Sequence, residues 1–181
     1  YQNERVEAGI MLFNNDIDDM IITDTWRVGY RPAVMTYSNV SKARVQGYEL
    51  QGRYNLSDTM GLRANYTYSD AEDRDTDEQL RNSPQHVANI GFDWQAMPDL
   101  GLNLDYQYTG SQLLYVSAAQ PNVESGAFHQ LNLGARYQAT RELSLKAGMN
   151  NLTNEKRDDV AQSVDNILMG RTVFVGFSYD I

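Results

Sequence analysis

The sequence predicts an all-β fold of antiparallel transmembrane β-barrel strands, about eight of them, running up and down. Three features carry that prediction. Apolar and polar residues alternate singly over stretches of roughly 10 residues. Short and long connections take turns between the stretches, and aromatic residues collect at both ends of the apolar faces, with Leu, Ile and Ala between them.

Composition fits this class. The chain has 181 residues, 41% of them hydrophobic, with 12 Tyr, no Cys and a net charge of -9; its mean hydropathy is -0.55. No run approaches the roughly 18 apolar residues of a membrane helix, which excludes a helical membrane protein and leaves a barrel open. Without cysteine there is no disulfide framework and no thiolate metal site. The acidic balance disfavours nucleic acid as a partner, because phosphate binding needs a basic surface.

In chain order, strands are expected over 4–24, 34–56, 60–70, 85–96, 100–113, 127–139, 142–152 and 171–181. The first contains "NNDIDD" (14–19), which lacks the Gly and bidentate Glu of a calcium-binding loop and is expected to face the lumen. The second brings Tyr54 to the tight turn "LSDT". In the third, Leu62, Ala64, Tyr66 and Tyr68 oppose Arg63, Asn65, Thr67 and Ser69. The fourth sets Ala88, Ile90, Phe92 and Trp94 against Asn89, Gly91, Asp93 and Gln95, then turns at "AMPD". The fifth has Leu102, Leu104, Tyr106 and Tyr108 opposite Asn103, Asp105, Gln107 and Thr109. The sixth has Leu131, Leu133, Ala135 and Tyr137 opposite Gln130, Asn132 and Arg136, and turns at "ATRE". Leu143, Leu145, Ala147 and Met149 oppose Ser144 and Lys146 in the seventh. The last places Val173, Val175, Phe177, Tyr179 and Ile181 on one face up to the final residue.

The other connections are long and polar: "DTWRVGYRP", "AEDRDTDEQLRNSP", "YVSAAQPNVESG" and "TNEKRDDVAQSVDNILMG". Outer-membrane barrels have this asymmetry, with short turns in the periplasm and long loops outside. Tyr66, Tyr68, Tyr106 and Tyr108 lie beside the long loops; Tyr54, Trp94, Tyr137 and Tyr179 lie beside the short turns or the chain end. Two aromatic girdles around an aliphatic band are what two membrane interfaces require.

"GIMLFNNDIDDMIIT", "YSNVSKARVQGYELQGRY", "NSPQHVANIGFDW", "LKAGMNNLTNEK" and "GRTVFVGFSYDI", in that order, resemble the C-terminal motifs of TonB-dependent outer-membrane receptors over essentially the whole chain. The resemblance is greatest to the catecholate-siderophore group. It implies that residues 1–181 form the C-terminal part of a 22-stranded barrel whose N-terminal plug domain is absent here. It further implies a bacterial outer-membrane location and energy-dependent import of a ferric siderophore, anionic and of catecholate type. The implied partners are TonB, acting through the missing plug, outer-membrane lipid and lipopolysaccharide, and the barrel-assembly machinery. No resident cofactor or metal is implied, and no enzyme activity. Gly176, Phe177, Tyr179 and Ile181 resemble the C-terminal assembly signal, with Ile181 where a terminal aromatic is usual.

Ligand contact in the outer loops is expected from Trp26, Arg27, Tyr30, Arg31, Tyr115, Lys156 and Arg157, because an anionic iron chelate suits cations and aromatic rings. His86 and His129 each open a strand at the outer rim; as haem ligands they would stand alone in separate motifs. The carboxylates of 70–79 are expected to form a solvated acidic loop. Asn39, Asn55, Asn65 and Asn151 begin Asn-x-Ser/Thr triplets at strand positions where glycosylation is discounted. Two other readings compete: a complete eight-stranded barrel serving as anchor or adhesin, and a barrel enzyme using rim His and Asp.

Overall fold

The computed structural model describes residues 1, 3–26, 34–115, 122–157 and 169–180, with side chains described outside 20–41. Its strands are β1 (Val6–Trp26), β2 (Val34–Ser57), β3 (Met60–Asp73), β4 (Glu78–Gln79), β5 (His86–Met97), β6 (Leu100–Thr109), β7 (Gln112–Leu114), β8 (Val123–Ser125), β9 (Phe128–Gln138), β10 (Leu143–Asn150) and β11 (Thr172–Tyr179). The long strands form one antiparallel sheet in the order β1-β2-β3-β5-β6-β9-β10-β11, each pairing with its neighbour in the chain. β4 adds to β3, and β7 pairs with β8 as a separate hairpin.

The register explains the alternation. One row of cross-strand partners runs Val6, Tyr54, Leu62, Phe92, Leu104, Leu133, Met149 and Val173, apolar on every long strand. The adjacent row on the other face runs Glu7, Arg53, Arg63, Gly91, Asp105 and Asn132. Because side chains alternate with a period of two, slipping any strand by one residue would exchange these rows. The apolar face is not a core. Among the described residues the buried hydrophobic side chains are Ala43, Ala71 and Leu114, whereas Leu104, Leu133 and Phe177 are 37%, 43% and 75% exposed. A soluble sandwich would cover such a face with a second sheet; here lipid is the solvent it suits.

The short turns are made by side chains bonding to the local backbone. Ser57 Oγ accepts the Thr59 N–H at 3.2 Å, and Thr140 Oγ1 accepts the N–H groups of Glu142 and Leu143 at 3.2 and 3.1 Å; such hydroxyl turns reverse the chain in few residues. Successive hairpins are staggered. Met60, which opens β3, is in register through Trp94 with Leu102, and β6 opens two residues away at Leu100. Leu100 is in register through Tyr137 with Leu145, and β10 opens two residues away at Leu143.

Four expectations need correction. The segment expected over 100–113 is interrupted after Thr109, where Gly110 N donates to His86 O at 2.7 Å and the chain leaves the ladder for β7. β1 and β3 continue into residues expected as loop, since a ladder supplies its own hydrogen bonds and persists in water. "NNDIDD" does not simply face the lumen. The row of Leu12 and Tyr48 continues outward through Asn14 and Gln46 to Asp16 and Arg44, so Asp16 lies on the apolar side, beyond the last aromatic row. Finally, β1 and β11 each pair with a single neighbour, so the eight long strands form an open sheet and not a small closed barrel.

Candidate functional site

The outer end of the sheet, where the long connections emerge, carries the densest local structure. Leu80 N donates to Ala71 O at 2.8 Å and Asn82 N to Leu113 O at 2.9 Å, stitching the β3–β5 connection to β3 on one side and to β7 on the other. Gln112, Leu114 and Ser125 of the β7–β8 hairpin are buried. Arg81 spans the two connections: its Nε donates to Asn122 Oδ1 at 2.7 Å, and its guanidinium lies 5.1 Å from the centre of the Tyr115 ring. Asn122 Nδ2 in turn donates to Glu78 Oε2 at 3.4 Å.

Of the residues expected to contact ligand, Tyr115 is therefore in a cation–π contact with an arginine that sequence reasoning passed over. Arg157 lies over the ring of Phe128, 4.3 Å from its centre. Phe128 opens β9 opposite Thr109, on the polar face. Lys156 is exposed. Tyr115 and Arg157 sit on different connections in separate contacts. Trp26 ends β1 with its side chain outside the described residues, as are Arg27, Tyr30, Arg31 and Ile181 altogether. The signal for Arg81 was present in "QLRNSP", a cation that follows six carboxylates, yet only the fold shows which ring lies beneath it.

Down the polar face, Arg63 bonds to both Asp93 and Asp105. It reaches β6 by crossing Gly91, where a Cβ would come within 2.5 Å of the guanidinium carbon. A side chain at 91 would therefore displace the cation from its two carboxylates. Asn103 Nδ2 donates to Asp105 at 2.8 Å and Asn89 Nδ2 to Asn65 Oδ1 at 2.9 Å, continuing a polar lining that a water-filled or protein-filled lumen can satisfy.

On the apolar face an aromatic belt closes the lipid-facing band. Tyr48, Tyr66, Tyr68 and His86 form one ring cluster with centroids 5.3–6.1 Å apart, and Tyr66 Oη is 2.7 Å from His86 Nδ1. Tyr106 stacks on His129 at 6.1 Å. The two histidines thus belong to separate parts of the girdle. Beyond it, Asp16 accepts from Arg44 Nε at 2.8 Å and from Arg74 at 3.5 Å, tying β1, β2 and the end of β3 together in water. The Arg44 guanidinium holds the Asp16 carboxyl below its ordinary range.

The last long connection is anchored by Asn151, 1% exposed and left-handed at φ 52. Its Nδ2 donates to Glu155 O and Met169 O at 2.9 and 3.1 Å; its Oδ1 accepts Glu155 N at 2.8 Å; and its own N–H goes to Asn132 Oδ1 at 2.9 Å. Both ends of the loop close on this one amide, which accounts for the "NNLTNEK" motif and leaves no free nitrogen for a glycan. Asn151→Ala removes the partner of the Glu155 N–H and of the Glu155 and Met169 carbonyls; each such group left unsatisfied away from water costs about 1–3 kcal/mol. The expected result is a local loss of about 2–3 kcal/mol, read as faster amide exchange at Glu155 with exchange in β5 and β6 unchanged. Unchanged exchange at Glu155 would show that the clamp does not hold the loop.

The sequence model of TonB-dependent receptor-like β-barrels matches residues 1–152. The chain belongs to the TonB-dependent receptor β-barrel family. Members of this family are outer-membrane β-barrels with receptor function. The chain is 26% identical over 177 residues to the ferric enterobactin receptor of Pseudomonas aeruginosa, covering 86% of this chain and 23% of that protein. It is 28% identical over 160 residues to the ferrienterobactin receptor of Escherichia coli K12, covering 82% and 21%. The structure of the copper transporter OprC aligns with a TM-score of 0.81 at 20% identity, covering 100% of this chain and 30% of that one, and so shares the fold. The chain thus spans less than a third of the relatives it matches.

Proposed function

We propose that residues 1–181 are the C-terminal part of the barrel of an outer-membrane receptor that imports a ferric siderophore, anionic and of catecholate type, with energy delivered through TonB. The observation that carries this reading is the single open sheet with a lipid-suited face, in a chain whose full-length relatives at 26% and 28% identity are enterobactin receptors. The plug that TonB contacts would belong to the rest of the polypeptide. Outer-membrane lipid and lipopolysaccharide would surround the aromatic belt, and the barrel-assembly machinery would recognise the C-terminal strand at Gly176, Phe177, Tyr179 and Ile181. Tyr115, Lys156 and Arg157, with Trp26, Arg27, Tyr30 and Arg31 on the first hairpin, are the ligand contacts in this reading. Cationic and aromatic groups match the charge and flat rings of a ferric catecholate.

The test is uptake by cells that carry the complete receptor and no other siderophore receptor. Radiolabelled iron is expected to enter with a tris-catecholate chelator and to stop when the proton-motive force is collapsed. Accumulation of copper ions with no iron uptake would overturn the reading in favour of a copper carrier on the same fold.

A further inference from the structure

Arg81 has a geometry that its part in joining two loops does not use up. Its Nε is committed to Asn122 and one face of its plane to Tyr115, both from the β6–β9 connection, so the guanidinium is held at a fixed angle. Asn82, the next residue, is fixed to Leu113 and adopts φ 57, which prevents the backbone from carrying the side chain elsewhere. Among the described residues the terminal nitrogens Nη1 and Nη2 have no hydrogen bond or ion pair, although six carboxylates lie between positions 70 and 78 of the same chain segment. An arginine that follows an acidic stretch of chain, bonds to none of its carboxylates and is instead aimed by an amide and a ring is pre-organised for an anion from outside. Pre-organisation removes the side-chain ordering cost that a mobile surface arginine would incur on binding.

We propose that Arg81 is a ligand-binding residue of the outer mouth whose two terminal nitrogens take a pair of adjacent anionic oxygens, with Tyr115 bracing the guanidinium from behind. The ligand class is a ferric complex presenting vicinal oxygens in one plane, as a catecholate does. A planar fork matches two such oxygens with parallel hydrogen bonds, which an ammonium cannot do. Asn122 is a positioning residue: it sets the angle of the fork without reaching the ligand. This inference rests on the siderophore reading and adds to it the residue that discriminates by charge and shape.

Equilibrium binding to the purified complete receptor tests it, using a trianionic ferric tris-catecholate and a neutral ferric tris-hydroxamate as probes. Arg81→Gln is expected to weaken the tris-catecholate at least tenfold and leave the hydroxamate unchanged. Arg81→Lys, which keeps the charge and loses the fork, is expected to recover less than half of that loss in logarithmic terms. Asn122→Ala is expected to weaken the catecholate several-fold. Limited proteolysis of the outer loops separates binding from folding: Arg81→Lys is expected to bind less while its cleavage rate stays that of the parent. Full affinity in Arg81→Gln, or affinity falling only in step with loop cleavage, would overturn the assignment and leave the siderophore reading standing. A parent receptor that binds neither chelate would overturn both.

Discussion

Arginine at Leu133 is expected to destabilise the complete barrel by about 2–4 kcal/mol, the cost of a cation at the bilayer midplane. Leu133 lies midway along β9 between Tyr137 and His129, one from each aromatic belt, and its cross-strand partners Leu104 and Met149 are apolar. Two controls share the local structure. Leu145 is on the same face but in register with Tyr137 and Phe177 at the short-turn end, so Leu145→Arg is expected to cost about 0–1 kcal/mol, as near an interface. Gln130 is on the polar face of β9 opposite Gln107, and Gln130→Arg is expected to be nearly silent. Reversible urea unfolding in phospholipid vesicles measures all three. Equal costs at 133 and 130 would show that the faces are assigned the wrong way round.

Deleting residues 179–181 is expected to abolish membrane insertion of the complete receptor, leaving it degraded or aggregated in the periplasm. Only one pair of the β10–β11 ladder, Leu143 with Tyr179, is lost by the cut, which is too little to unfold a barrel of this size. What goes with it is the aromatic end of the face that Phe177 and Tyr179 share, the part that resembles the assembly signal. Ile181→Phe is expected to keep or raise the inserted fraction. Fractionation with heat-modifiable gel mobility reads the outcome, and normal insertion of the truncated receptor would mean that recognition lies elsewhere.

The strands were legible because a lipid-facing sheet has a two-residue period that nothing in the core disturbs. Leu62, Phe92, Leu104 and Leu133 occupy one register row, as the alternation in each segment requires. The tight turns were legible from hydroxyl and Asp chemistry. What failed was the assumption that one face means one solvent along a whole strand. At Asp16 the apolar side lies beyond the last aromatic row, so the same face that carries Leu12 carries a carboxylate paired with Arg44. The loop contacts were illegible for a different reason. Arg81 with Tyr115, and Arg157 with Phe128, meet across 34 and 29 residues of sequence, and no local pattern encodes which loop folds against which.

The two-residue stagger between successive hairpins fixes the slant of the wall. A shift of one residue per strand, about 3.3 Å along the chain for every 4.8 Å across it, inclines the strands by about 35° to the pore axis. Twelve residues, the length of β5, then carry the chain sideways by about 23 Å between the periplasmic rim and the mouth, roughly the width of four neighbouring strands. Each loop consequently overhangs a different sector of the wall from the one in which its own hairpin is rooted. A solute descending straight from Arg81 would pass side chains that are distant from it in both sequence and hydrogen-bond register, so contacts along its route are sorted by azimuth and not by hairpin.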